Sequence, residues 1–222
     1  MKVEKTKFEG VYKVNGKLAT RNLVPGVSVY GEKLIRIEGI EYRIWDFWRS
    51  KPAAAIKKGI RNFPVKKGFK ILYLGIASGT TASHFSDIVG REGMIYGIEI
   101  SARVLRELLE VAEKRKNISP ILADARKINE YQFLIPEKVD LIYCDVADPQ
   151  EIEIFLKNSE VFLKKDGYGM IAIKSRSIDV TKKPKQIYRE AREKLETFYE
   201  VLDFVRLDPF QSDHGFFVLK RR

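Results

Sequence analysis

Cysteine and histidine are nearly missing from this chain. Its 222 residues hold one cysteine, Cys144, and two histidines, His84 and His214. A lone cysteine excludes an internal disulfide, and with so few soft ligands no metal is expected. Cys144 lies in the apolar run LIYCDV and reads as a small buried hydrophobe. No apolar run approaches the length of a membrane span, so no membrane partner is expected. The opening MKVEKTKFEG alternates charged and apolar residues and lacks the continuous apolar stretch of a signal peptide. The expected location is therefore cytoplasmic. The spacing G-x-G-x-x-G and the lysine of a phosphate loop are also missing, which argues against NAD and ATP.

Charge is plentiful. The chain carries 41 basic and 30 acidic residues, a net charge of +11. Such a surplus favours a polyanionic partner through phosphate contacts and counterion release. A Lys- and Glu-rich thermophile surface gives a similar balance, so charge alone supports nucleic acid only modestly. With 45% hydrophobic and 32% charged residues, the chain reads as globular and long enough to bury a sizeable core.

Residues 1–50 read as a small N-terminal β domain. VYKVNGKLAT carries a polar turn at Asn15-Gly16, the strongest short hairpin signal in the chain. VSVYGEK and EYRIWDFW continue the β pattern; Trp45, Phe47 and Trp48 are expected in the core. Residues 51–222 form the main domain. KPAAAIKKGI, with Pro52 near its start, suits the first turn of a helix. Strands are expected at KILYLGI (70–76), MIYGIEI (94–100), SPILAD (119–124), VDLIYCDV (139–146) and YGMIAIK (168–174). Helices are expected over 101–116, capped by Ser101, with Val104, Leu108 and Val111 on one face, and over 149–167, ending at Gly167. A third runs over 184–199, with Ile187, Ala191, Leu195 and Phe198 on one face. EVLDFVRL (200–207) and GFFVLK (215–220) are joined by a loop and should pair antiparallel at one edge, giving the sheet one antiparallel edge strand. Alternating β and α elements with continuous apolar strands imply an α/β fold. Its sheet should be mostly parallel, Rossmann-like, about seven strands wide and covered on both faces. Ligands of such sheets bind beyond the carboxyl ends of the strands.

The strand KILYLG leads into Gly75-Ile76-Ala77-Ser78-Gly79-Thr80-Thr81. Gly75 and Gly79 permit a tight turn and close approach by a ligand, and Thr80 and Thr81 open a helix with free N–H groups. The next strand ends at Glu99, where a carboxylate can accept both ribose hydroxyls of an adenosine moiety. The third ends at Asp124-Ala125, suited to the adenine amino group, and the fourth at Asp145. Each acid alone is more often a cap or a solvated loop residue. A glycine turn followed by acids at successive strand ends looks like the S-adenosylmethionine (SAM) site of the seven-stranded methyltransferases.

Longer motifs narrow the match. WRSKPAAAI, GIASGTTASHFSDIVG, GIEISAR, ADAR, DLIYCDVADP, IAIKSRSID and SDHGFFV resemble the corresponding segments of the archaeal fibrillarin family, in order and over nearly the whole chain. The resemblance implies a small N-terminal β domain on a SAM-dependent methyltransferase domain. It implies 2′-O-methylation of ribose in rRNA and tRNA within a box C/D guide-RNA ribonucleoprotein. The implied partners are the guide RNA, a Nop-family scaffold protein and a kink-turn-binding protein. Carried over residue by residue, the cofactor contacts are Thr80, Thr81, Glu99, Ile100, Asp124, Ala125 and Asp145 through Val146 and Ala147 to Asp148. The catalytic set falls on Lys51, Asp145, Lys174 and His214, with Lys174 the expected base. The sequence departs from the family pattern at Ile100, where an aromatic is usual, at Asp148 for Gln, at Ile76 for a small residue, and in WDFWRSKP before Lys51.

Two other readings remain open on the residues alone. One is a methyltransferase acting on a protein or small molecule; RNA binding would be strongly salt-dependent, and small-molecule binding would not. The other is a non-catalytic scaffold of the same fold, against which the intact set Lys51, Asp145, Lys174 and His214 argues. His84 reads as a structural helix residue, and Lys182-Lys183-Pro184-Lys185 as a solvated loop more than a phosphate contact.

Overall fold

A computed structural model describes residues 2–222. Asn15 and Gly16 both take positive φ, 49° and 76°, the turn geometry that matches strand twist. They join β2 (Val11–Val14) to β3 (Lys17–Arg21). With β1 (Val3–Lys5), β4 (Leu34–Ile37) and β5 (Ile40–Ile44) these form an antiparallel sheet in the order β1-β2-β3-β5-β4. The β pattern expected for VSVYGEK is not realised. There the Glu32 carboxylate accepts hydrogen bonds from the backbone N–H groups of Val29 (3.0 Å) and Tyr30 (2.8 Å), and the segment is a loop. WDFW is likewise not strand: Asp46 Oδ1 accepts from the Trp48 N–H at 2.8 Å and turns the chain after β5. Of the three aromatics expected in the core, Trp45 is buried and Phe47 packs against the core, but Trp48 is exposed.

The main domain follows with α1 (Lys51–Lys57), β6 (Lys70–Leu74), α2 (Thr80–Val89), β7 (Met94–Glu99), α3 (Ala102–Arg115), β8 (Ile118–Leu122) and β9 (Val139–Cys144). It continues with α4 (Glu151–Phe162), β10 (Leu163–Lys174), α5 (Ser175–Ile178), α6 (Pro184–Glu196), β11 (Tyr199–Arg206) and β12 (His214–Arg221). The sheet order is β11-β12-β10-β9-β6-β7-β8. Alternate positions along each strand fill the two faces. Ile71, Tyr73 and Tyr143 meet Phe85 of α2 on one side, while Leu72, Leu74 and Ile142 meet Phe155 of α4 on the other.

Three expectations are corrected. The antiparallel strand is not at the edge: β12 pairs antiparallel with both β10 and β11 and lies between them. Its run GFFVL is buried throughout, which an internal position satisfies and an edge does not. The helix expected over 149–167 stops at Phe162, because Leu163 already pairs with Val139, and Gly167 belongs to a strand. Phe198 lies past the end of α6 and is 57% exposed, so the helical spacing that put it on the apolar face no longer applies.

A buried ion network joins the N-terminal sheet to α2 and α3. Asp87 of α2, its side chain fully buried, pairs with Arg43 of β5 at 2.9 Å and with Arg115 of α3 at 2.6 Å. Arg43 also binds Glu32, and its Nη2 donates to Ser83 Oγ at 2.8 Å. Thr20 Oγ1 and the Leu23 N–H donate to Asp87 at 2.6 and 2.9 Å. His84, read as structural, is buried beside this network, with Thr20 and Tyr30 hydroxyls at its ring nitrogens and Trp45 stacked at 4.9 Å. Burial, then the Arg43 charge, hold its pKa well below 6.5. Removing one member of a satisfied buried ion pair leaves the others uncompensated. Asp87→Ala should therefore cost about 3–5 kcal/mol in denaturant unfolding, and a loss under about 1 kcal/mol would refute a structural role for the network.

Candidate active site

The turn between β6 and α2 is built on left-handed backbone. Gly75, Ala77 and Gly79 have φ of 77°, 53° and 90°. A Cβ on Gly75 would sit 2.7 Å from the Asp145 carbonyl oxygen, so glycine lets the ends of β6 and β9 close together. The Gly75 and Ile76 N–H groups donate to the Ile98 carbonyl at 2.9 and 3.1 Å, tying the turn to β7. Ile76 is buried and fills the space left by Gly97 of β7, where a Cβ would lie 2.3 Å from Ile76 Cδ1.

A cleft of about 260 Å³ opens beyond the carboxyl ends of β6, β7, β8 and β9. Gly75, Glu99, Ile100, Asp124, Ala125, Asp145, Val146, Ala147 and Asp148 line it, nine of the cofactor residues expected from sequence. Gly79, Thr80 and Thr81 do not. Thr80 lines a neighbouring cleft, and Thr81 is buried, donating to Ser50 Oγ at 2.9 Å. Glu99 is fixed by the Ala77 N–H (3.0 Å) and the Ser101 N–H (2.8 Å), one on each carboxylate oxygen. Each oxygen keeps lone-pair capacity toward the cleft. Ile100 is 64% exposed at the rim.

Asp124 is held by Arg126, which sequence reasoning passed over. Arg126 Nε reaches both carboxylate oxygens at 3.0 Å, its Nη2 lies 2.7 Å from Oδ2, and Nη1 lies 3.5 Å from Asp148. That bidentate bond, foremost, holds the Asp124 pKa below its usual value. The spacing DAR was legible, but spacing does not say which way an arginine folds.

The other expected set gathers beside the cleft. Lys51 Nζ lies 2.8 Å from Asp145 Oδ1 and 3.1 Å from Oδ2. The Tyr143 hydroxyl donates to Asp145 Oδ2 at 3.1 Å, a second partner the sequence did not suggest. Lys174, at the tip of β10, pairs across the sheet with His214 at the start of β12. Its side chain is exposed, although its strand is buried. His214 Nδ1 lies 2.7 Å from the Ser212 carbonyl oxygen, which only accepts; Nδ1 therefore carries the proton and Nε2 is bare. Burial first, then the Lys51 charge, hold the His214 pKa below 6.5, and the ring is neutral at pH 7. Among the described residues, no cluster of His, Cys, Asp and Glu is disposed to hold a metal ion.

Glu151, at the start of α4, was also missed. It is fully buried, and among the described residues neither carboxyl oxygen has a hydrogen-bond partner. Burial, then the Asp145 charge, push its pKa up to about 9, against the nearby Lys174 backbone N–H and the Lys51 charge. It is a neutral acid beneath the Lys51–Asp145 pair.

The sheet order, the glycine turn and the acids at the ends of β7, β8 and β9 define the seven-stranded methyltransferase fold. The fibrillarin family profile matches residues 2–222. The chain is 56% identical to the fibrillarin-like rRNA/tRNA 2′-O-methyltransferase of Pyrococcus abyssi, over 100% of this chain and 99% of that protein. Among solved structures, Aeropyrum pernix fibrillarin with natively bound SAM is 49% identical, with a TM-score of 0.91 over 99% of this chain and 98% of that one. The fibrillarin of a fibrillarin/Nop5p complex is 41% identical, with a TM-score of 0.90 over 98% of this chain and 100% of that one. The chain belongs to the fibrillarin family.

The Glu151 shift has a consequence for stability. Its folded pKa, about 9, lies above the ordinary 4.5, so the unfolded chain binds fewer protons between these values. Stability from this group is complete below pH 4.5 and is lost as pH rises toward 9. Thermal unfolding of Glu151→Gln should match the parent near pH 5 and exceed it by several degrees near pH 8. A difference independent of pH would contradict a buried neutral acid.

Proposed function

We propose that this chain is a SAM-dependent enzyme that methylates ribose 2′-hydroxyls of rRNA and tRNA, acting as the catalytic subunit of a box C/D guide-RNA particle. The observation that carries the reading is the meeting, at one end of one sheet, of an adenosine-suited cleft and the cluster Lys51, Asp145, Lys174 and His214. The Pyrococcus abyssi relative is named for this activity, one solved relative binds SAM, and another assembles with Nop5p. A Nop-family scaffold protein is the partner these relatives support. The guide RNA and a kink-turn-binding protein complete the proposed particle.

Bound SAM supplies an electrophilic methyl group. Glu99, already held by two backbone N–H groups, would accept the ribose hydroxyls. Asp124 and Ala125, beside Glu99 in the same cleft, would flank the adenine. At the other side Asp145, fixed by Lys51 and Tyr143, would orient the target 2′-hydroxyl, and Lys174, as a neutral amine, would take its proton as the C–O bond forms and the methyl–sulfur bond breaks. The bare Nε2 of His214 is an available acceptor within the cluster and is the competing base. Most of the acceleration comes from holding hydroxyl and methyl in line.

Calorimetry should show SAM binding that Glu99→Ala weakens by about 10–100-fold, the loss of two hydrogen bonds. A folded protein that binds no SAM would leave only a scaffold role. In the reconstituted particle, Lys174→Ala should lower methyl transfer by about 10²–10⁴-fold without changing SAM affinity. Retained transfer in Lys174→Ala, with loss in His214→Ala, would move the base role to His214.

A further inference from the structure

The chain has two tryptophans, and they sit in opposite environments. Trp45 is 1% exposed and stacked on His84; Trp48 is 55% exposed. A large aromatic at the surface is informative when it is held rigid, because it then keeps a flat apolar face in water. Trp48 is held on several sides. Its N–H donates to Asp46 Oδ1 at 2.8 Å, and Gln211 Nε2 donates to its carbonyl at 2.6 Å. Phe210 packs against the indole at 5.2 Å, edge to face, and Phe47 lies at 5.8 Å.

These contacts also fix where the indole stands. Trp48 is three residues before Lys51, so their backbones are at most about 11 Å apart. Phe210 and Gln211 belong to the loop that leads into His214. The platform is therefore anchored to both chain segments that bring Lys51 and His214 to Asp145. Cations lie on its neighbours: Arg49 follows it in the chain, and Lys57 lies over the Phe47 ring at 5.7 Å. A rigid exposed aromatic among cations is the chemistry that binds unpaired nucleotides, bases stacking on the ring and phosphates meeting the charges.

We infer that Trp48 is a stacking platform for a nucleobase of the RNA strand presented for methylation, setting the approach of its ribose to Lys51, Asp145, Lys174 and His214. This rests on the RNA-methylating reading. Stacking tolerates any base, so Trp48 contributes affinity and position but no sequence preference.

Two measurements test it. In the assembled particle, Trp48→Ala should raise KM for target RNA about tenfold and lower kcat about threefold with SAM affinity unchanged, and Trp48→Tyr should restore most of both losses. Independently of catalysis, the emission difference between wild-type and Trp48→Phe particles isolates Trp48, and target RNA should quench it. An unchanged KM together with unquenched emission overturns the inference. So does a Trp48→Ala chain that no longer joins the scaffold protein, because the indole is then a protein contact. Quenching by RNA in a particle that transfers no methyl group sustains the platform while sinking the methylation reading, so the two failures are distinguishable.

Discussion

The architecture turns on two arginines and two acids sealed between the N-terminal sheet and two helices of the chain that follows it. Buried charges are costly unless neutralised and hydrogen-bonded, and here Arg43, Arg115, Asp87 and Glu32 balance one another. The pairing admits little freedom, because each partner comes from a different element: a loop, β5, α2 and α3. It locks the N-terminal sheet to α2, the helix that follows the glycine turn of the cleft. The chain leaving that sheet then delivers Ser50 to Thr81 and Lys51 to Asp145. The small sheet is thus one wall of the candidate site's support, and Lys51 inherits its position from it.

The two halves of the site are organised by different physics. The cofactor side is set by backbone: left-handed turn residues, strand ends and N–H groups that fix Glu99. The side that holds Lys51, Asp145 and His214 is set by charge and protonation. Asp145 is shared between an ammonium and a phenol, His214 is kept neutral with one nitrogen bare, and Glu151 is kept uncharged below. An ionised Glu151 would compete with Asp145 for Lys51; protonated, it leaves that pair intact.

Much of this was legible in the chain because it is local. Asn15-Gly16 dictates its own turn, and the alternation of apolar strands with amphipathic helices places Glu99, Asp124 and Asp145 at successive strand ends whatever the packing. What was not legible depends on partners far away in sequence. VSVYGEK has strand composition, yet Glu32 serves Arg43 and its own backbone. The antiparallel strand was placed at the edge because a hairpin does not reveal which of its arms inserts beside β10. Arg126 and Glu151 look like ordinary solvated residues until the fold shows one clasping Asp124 and the other shut away from water. Residue types singled out Lys51, Asp145, Lys174 and His214, but burial, which decides protonation, is a property of the assembled core.

Ile76 and Gly97 show how such a core limits change. The isoleucine in the cofactor turn occupies the volume that the missing side chain of the glycine leaves in the next strand. Two positions, one on each side of a hydrogen-bonded strand pair, therefore share a single allotment of space. Neither can grow without the other shrinking, and shrinking Ile76 alone leaves a void directly beneath the cleft floor. Drift in the turn and drift in the strand are thereby yoked. A lineage that reshapes this floor must take both steps together or pass through an overfilled or hollow intermediate.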